Sequence, residues 1–520
     1  MQVPLVLRRL ASQGFDSVKN RLDLQMQNIQ KHFLCKTKKK NIISIMKPLF
    51  HSASQRFSTL MLRRCWFWII LGSSVLMLNG VSSGWAATYH VAVGGVDTNS
   101  GTEEKPWRTL SKANAEARAG DTIRIGPGTW NEDITISQGG GDGNPISWVG
   151  SGKMDTICAR FKIGKPFVHI REMTIQWQVD TNAPNVLVEN VLFTWTGGRQ
   201  FWIQPTGAWS GPVGVVARGC EFIGCGTAGA VSVNGNDCLI EKCFFTTGNG
   251  GDAIYLNGRR NIVRGCIFKG WSRPSGSKQH TDLFQSYSNN GEISEDHLIE
   301  GNFAIDCSGT QIGNVTDLKQ EGKIRGWTWR NNIFIRVSNP LNLYCADFRF
   351  ENNTFYQTPT GAGACVLVKG STDRGVAHNC EFYNNIFYKG GANPSSTSQG
   401  FWGFDLKGQT LNGFKGDNNL VLGEGVGVQK GVSWTWFGVN ANSLNGVDPL
   451  FVNPTNPTKP EELYLRQGSP AIGAGKNLSD IFTTDFSGRR RVTRWDIGAH
   501  QIGGSLSAPT GYRAPLVGEK

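Results

Sequence analysis

The chain has 520 residues, with 53 Lys+Arg against 40 Asp+Glu and a formal net charge of +13. The basic excess is local: residues 1–86 hold 13 Lys+Arg against 2 Asp+Glu, a net +11, which leaves +2 on residues 87–520. A nearly neutral body offers no strong electrostatic footprint for a phosphate backbone, so no nucleic-acid partner is expected.

Residues 1–60 read as a non-native or leader extension, because a start codon at Met61, or at Met46, would put a signal at the beginning of the chain. Met61-Leu62-Arg63-Arg64 is a positive n-region, Cys65 to Leu78 is apolar, and Gly84-Trp85-Ala86 supplies small residues for cleavage. Residues 61–86 therefore read as a secretory signal, which predicts a secreted, periplasmic or surface protein with no stable membrane anchor after cleavage. A single membrane anchor is the alternative, although the apolar run is short for a span. Next, residues 109–118 form a short amphipathic helix ahead of a first strand at Gly120-Asp121-Thr122-Ile123-Arg124-Ile125. That helix is expected to cap the end of a solenoid.

The repeat in the middle of the chain carries most of the information. A polar pair with Asn or Cys second, soon followed by Phe, appears at Gly219-Cys220-Glu221-Phe222, Lys242-Cys243-Phe244-Phe245 and Gly265-Cys266-Ile267-Phe268. It continues at Gly301-Asn302-Phe303, Asn331-Asn332-Ile333-Phe334, Asn352-Asn353-Thr354-Phe355 and Asn384-Asn385-Ile386-Phe387. From Cys220 the steps are 23, 23, 36, 30, 21 and 32 residues. A period near 22 with longer steps means one unit stacked many times, with loops inserted at a corner. Between the pairs lie short alternating runs such as Ala230-Val231-Ser232-Val233 and Asn261-Ile262-Val263-Arg264, which indicate strands. Three brief strands per coil leave no room for a crossover helix, so the predicted fold is all-β: a right-handed parallel β-helix over residues 87–445. The Asn column suits tight corners and amide ladders, and the Phe column should point inward. Cys220, Cys243 and Cys266 share one repeat position, where parallel Cβ vectors favour packing over disulfides. Residues 446–500 are read as a closing segment and 501–520 as a tail, and a monomer is expected.

Several segments resemble secreted right-handed β-helix proteins. At the start these are Tyr89-His90-Val91-Ala92-Val93-Gly94-Gly95-Val96-Asp97, Lys105-Pro106-Trp107-Arg108-Thr109-Leu110, Gly126-Pro127-Gly128-Thr129-Trp130 and Gly143-Asn144-Pro145-Ile146. At the end they are Asp448-Pro449-Leu450-Phe451, Gly468-Ser469-Pro470-Ala471-Ile472 and Asp496-Ile497-Gly498-Ala499-His500. The opening is most similar to that of the family nine polysaccharide lyases within the pectate-lyase-like superfamily. The resemblance implies a polysaccharide substrate lying along one outer sheet face, with catalytic groups on strand ends and inserted loops.

Aligning the strands before each corner places Gly229–Val233, Asp252–Leu256, Asp282–Ser286 and Thr310–Asn314 in equivalent positions, so Asp252 and Asp282 become neighbours. Two close carboxylates hold either a cation, here Ca²⁺, or one raised pKa. The 36-residue step contains Trp271, Arg273, Lys278, Gln279, His280, Asp282, Gln285 and Tyr287. Asp252, His280, Asp282 and Lys278 are the candidate catalytic residues, Asp252 and Asp282 the candidate metal ligands, and Tyr255, Trp271, Arg273 and Gln285 the candidate substrate contacts. β-Elimination of an acidic polysaccharide is the favoured activity. A glycoside hydrolase using the Asp pair, or a glycan-binding β-helix without catalysis, are the alternatives. The Asp cluster of the family nine lyases, with adjacent members, is reduced here to the single Asp252 of Gly251-Asp252-Ala253.

Overall fold

The computed structural model describes residues 86–503, apart from 207–210, 227–228, 249, 278, 289–290, 317–321, 357–365, 372–374, 389–401, 406–411 and 423–441. Nearly every strand pairs in parallel with its counterpart one coil away, and the exception among the named strands is a hairpin of Val366–Ser371 with Gly375–Val376. Parallel neighbours joined by short connections can return only by winding, and the favoured hand is right. The result is the right-handed parallel β-helix that the period predicts.

Three ladders run the length of the coil stack. The first passes through Val216–Arg218, Leu239–Glu241, Ile262–Arg264, Leu298–Glu300 and Thr328–Arg330. The second lies beside the polar corner, through Glu221–Ile223, Phe244–Thr246 and Ile267–Lys269. The third joins Phe201–Ile203, Val231–Val233, Ile254–Leu256 and Asp282–Tyr287. Inward strand positions are mostly apolar: Phe193, Phe222, Phe245 and Phe268 stack at centroid distances of 4.9, 4.9 and 4.7 Å. The column then breaks. Phe303 comes directly after its Asn, so Ala304 takes the inward place over Phe268, and Phe303 turns to the outer face. Stacking resumes with Phe334, Phe355 and Phe387 at 5.1 and 5.0 Å.

The polar pair divides its labour. Its first member is left-handed in every coil: Gly219, Lys242, Gly265, Gly301, Asn331, Asn352, Asn384 and Asn418 all have φ between 53° and 63°. Gly and Asn are the residues that adopt this geometry at least cost. The second member is buried and builds the ladder. Asn332 Oδ1 accepts both the backbone and the side-chain N–H of Asn302, at 2.9 and 3.0 Å, and Asn353, Asn385 and Asn419 repeat the arrangement. In the earlier coils Cys220, Cys243 and Cys266 fill the same column as free, buried thiols whose Sγ–H faces a backbone carbonyl. Cys225, Cys238, Cys307, Cys345 and Cys380 are also free and buried, while Cys365 lies outside the described residues.

The entry to the stack and the flank of its later coils are both covered. A helix, Leu110–Glu116, is capped by Thr109, whose hydroxyl accepts the Lys112 N–H, and it buries Leu110 and Ala113 against the first coils. The closing segment folds back along the flank of the later coils. Phe451, Leu463, Leu465, Phe486 and Ile497 cover the outer face of Ile333, Ile335, Tyr356, Ile386 and Tyr388. Side chains of the left-handed Asn column hold it there: Asn331, Asn352, Asn384 and Asn418 donate to carbonyls of Thr484, Asp496, Lys476 and Ala474 at 2.8–3.0 Å.

Candidate functional site

The third ladder carries the site on its outer face. Register pairs Ile254 with Phe284 and Tyr255 with Gln285, which makes Asp252 and Asp282 neighbours one strand spacing apart. Their contact is direct: the Asp282 N–H donates to Asp252 Oδ1 at 2.9 Å. The fourth coil differs from the sequence alignment by one position: Asp282 pairs with Gln311 rather than Thr310.

His280 lies two residues before Asp282, at the mouth of the inserted loop, and its Nδ1 is 2.9 Å from Asp282 Oδ2. The His280 side chain is 52% exposed and that of Asp282 0%, so the imidazole faces solvent from a buried carboxylate. Gln285 joins the two acids. With its amide nitrogen turned to them, it donates to Asp252 Oδ2 at 2.5 Å and to Asp282 Oδ2 at 3.1 Å. Asp282 Oδ1 is buried with no partner. Burial, and the Asp282 carboxylate beside it, push Asp252 up to about 8. Burial also raises Asp282, against the opposing pull of His280. The bond to Asp282 raises His280 above its ordinary value despite partial burial. Three interacting groups on one wall thus titrate together rather than one by one.

Other expected site residues are placed differently. Trp271 is fully buried; its indole N–H donates to the Gly251 carbonyl at 3.1 Å and its ring meets Phe245 edge-on at 6.0 Å. It is therefore a core residue and not a sugar platform, because the chain turns it inward at the start of the loop. Gln285, expected to meet substrate, is buried and commits its amide to the carboxylates. Tyr255 is partly buried, edge-on to Tyr287 at 5.9 Å. Arg273 is exposed, its N–H bound to the Ser308 carbonyl at 3.1 Å, and its positive charge opposes protonation of His280. Lys278 lies outside the described residues. No motif marks Arg199, yet it reaches the same outer face: its guanidinium lies 5.0 Å from the Trp202 ring and its Nε donates to Ser232 Oγ at 2.8 Å.

Among the described residues, Asp252, His280 and Asp282 form the one group whose ligand atoms converge, all within 4.8 Å of one another. The set holds an imidazole nitrogen, and one carboxylate is sealed from solvent. Ca²⁺ takes about six to eight oxygen ligands. These donors do not fit it, and they do fit a shared proton. No described helix is long and apolar enough to cross a membrane.

A family model described as "Protein of unknown function (DUF1565)" matches residues 93–136, the capped entry to the stack. The uncharacterized protein YwoF of Bacillus subtilis (strain 168) is 44% identical over 59 residues, which span 11% of this chain and 13% of that protein. Among solved structures, the complex of XylC with xylose aligns with a TM-score of 0.49 at 10% identity, over 81% of this chain and 99% of that one. The pectate lyase Pel9A aligns at 0.40 and 14% identity, over 81% and 97%. The PL6 family polysaccharide lyase Pedsa3628 from Pseudopedobacter saltans aligns at 0.44 and 14% identity, over 68% and 97%.

Proposed function

We propose that the protein is an exported, carbohydrate-active β-helix enzyme that cleaves an acidic polysaccharide by β-elimination. The observation that carries this reading is the solvent-facing imidazole of His280, held by the buried Asp282 beside a second carboxyl that keeps its proton. Asp282 fixes the ring through Nδ1, which leaves Nε2 to remove the proton α to a uronate carboxylate. The electron pair of that C–H bond becomes the new double bond, and the glycosidic C–O bond breaks. The departing oxygen takes a proton from Asp252, the less buried carboxyl. Arg273, exposed beside the imidazole, is the cation available to the uronate carboxylate as negative charge builds on it. Because His280 must be neutral to act, the rate is expected to rise as pH passes its raised pKa.

The hydrolase alternative has less support. Glycosidases set two carboxyls about 5–5.5 Å apart or wider, on either side of the scissile bond. Here both accept from one Gln285 amide nitrogen on a single wall, at 2.5 and 3.1 Å. The test is cleavage of pectate, alginate, chondroitin and neutral glycans by protein starting at Ala87, followed by ultraviolet absorbance of the unsaturated product. An acidic polymer should yield it, a chelator should not prevent it, and His280→Ala should slow it about 10²–10⁴-fold. Reducing ends without ultraviolet absorbance would replace this reading by hydrolysis, and binding without turnover would replace it by recognition alone.

A further inference from the structure

We propose that Arg199, with Trp202 and Ser232, forms a subsite for the carboxylate of a neighbouring sugar, so that the enzyme holds at least two acidic units of its polymer. The inference rests on the reading of the outer face as a site for acidic polysaccharide.

Trp202, Ser232, Tyr255 and Gln285 are register partners on successive strands of the third ladder, so they share its outer face. Each step along that face is about 4.8 Å. Ser232 therefore lies one step before Tyr255, whose coil also supplies Asp252, and Trp202 lies two steps before. An extended glycan running along the solenoid axis from His280 passes over them.

Arg199 is prepared for an anion. The Trp202 ring supports its guanidinium at 5.0 Å, and the buried Ser232 hydroxyl takes its Nε at 2.8 Å. That bond uses Nε, which leaves the end-on pair of Nη N–H groups, a planar fork that matches a carboxylate. No carboxylate among the described residues pairs with it. The acid nearest along the ladder, Asp180, is the register partner of Trp202 and is already committed. Its Oδ2 takes Arg160 at 2.7 Å and its Oδ1 takes Gln204 at 2.9 Å. The contrast with the first ladder is sharp: Arg218, Arg264 and Arg330 all pair with glutamates at 2.8–2.9 Å. Side-chain entropy makes a pinned, half-buried guanidinium costly to keep unpaired. A ligand that supplies the missing oxygens accounts for its placement.

The test uses trimers of galacturonate and of mannuronate, their carboxyl-reduced counterparts and a sulfated neutral trimer. Binding is measured by calorimetry on the slow variant His280→Ala, with and without Arg199→Ala or Arg199→Lys, after circular dichroism has verified folding. An acidic trimer should lose about ten- to a hundredfold in affinity with Arg199→Ala. Arg199→Lys should recover part of it, and the reduced trimer should be indifferent to both changes. Should Arg199→Ala fail to fold, the Arg199→Lys arm decides, because it keeps the stem and charge and loses the fork. Undiminished binding of the acidic trimer by the Arg199 variants would overturn the subsite while leaving the lyase reading intact. Loss confined to the sulfated trimer would overturn the carboxylate assignment. If wild type cleaves no acidic polymer and His280→Ala binds none, the reading beneath the inference fails, and the inference with it.

Discussion

Asp252 is a carboxyl that folding makes hard to ionise. Its ordinary value is 3.8, and burial beside Asp282 moves it to about 8. The sign of the linkage is fixed by which state binds the proton. Between these values the unfolded chain releases it and the folded chain retains it, so stability present in acid is lost as pH rises towards the folded value. Asp252→Asn mimics the protonated form at every pH. Its melting temperature should match wild type near about pH 4 and exceed it by a few degrees near about pH 9. Melting curves that run parallel across that range would show that the carboxyl carries no such penalty. The neighbourhood of Asp252, His280 and Asp282 is legible in the sequence, because two coils of known period bring equivalent positions together. The inward turn of Trp271 and the sealed position of Gln285 are not, since each depends on how the chain leaves a corner, which no local pattern encodes.

Among the single elements, the asparagine ladder shows how a repeat becomes a rigid column. Asn332 accepts two N–H groups from Asn302, donates to the Ile299 carbonyl at 2.8 Å and to Asn353 Oδ1 at 2.9 Å, and is wholly buried. Asn332→Ala strands donors and an acceptor where no water reaches, at about 1–3 kcal/mol each. Urea unfolding should register a loss of about 3 kcal/mol or more, and a loss below about 1 kcal/mol would mean that the column relaxes around the gap. A second column emerges only on folding. On the first ladder Arg171, Glu189, Arg218, Glu241, Arg264, Glu300, Arg330 and Glu351 alternate in sign from coil to coil in strict register. Spread over varying steps of sequence they look like ordinary surface charge. Stacked, Glu189 and Glu241 each pair with the arginines above and below them, and a slipped strand would part these charges.

For the described part of the molecule, the closing segment covers an apolar face of the later coils. Without it the outer face of Phe303, Ile305, Ile333, Ile335, Tyr356 and Tyr388 would meet water as a continuous apolar strip. Arg491, buried in the segment, reaches back to Asn331 Oδ1 at 2.8 Å and to the carbonyls of Gly498 and Ala499 at 3.1 and 3.2 Å. A chain ending at Asn445 should aggregate on expression, with light scattering as the measurement; a monodisperse product melting at the wild-type temperature would show that the segment is dispensable.

That coils of about 22 residues stack in parallel is written in the sequence, because strand period, corner residues and inward Phe are all local signals that repeat. What those coils bring together is settled only by folding: a sealed acid behind an exposed imidazole, an Arg199 braced on Trp202, and an Asn column turned outward to bind the closing segment. These depend on register shifts, on side-chain direction at corners and on burial by distant residues. All three are sums over contacts between residues far apart in the chain, and so they exist only once it has folded.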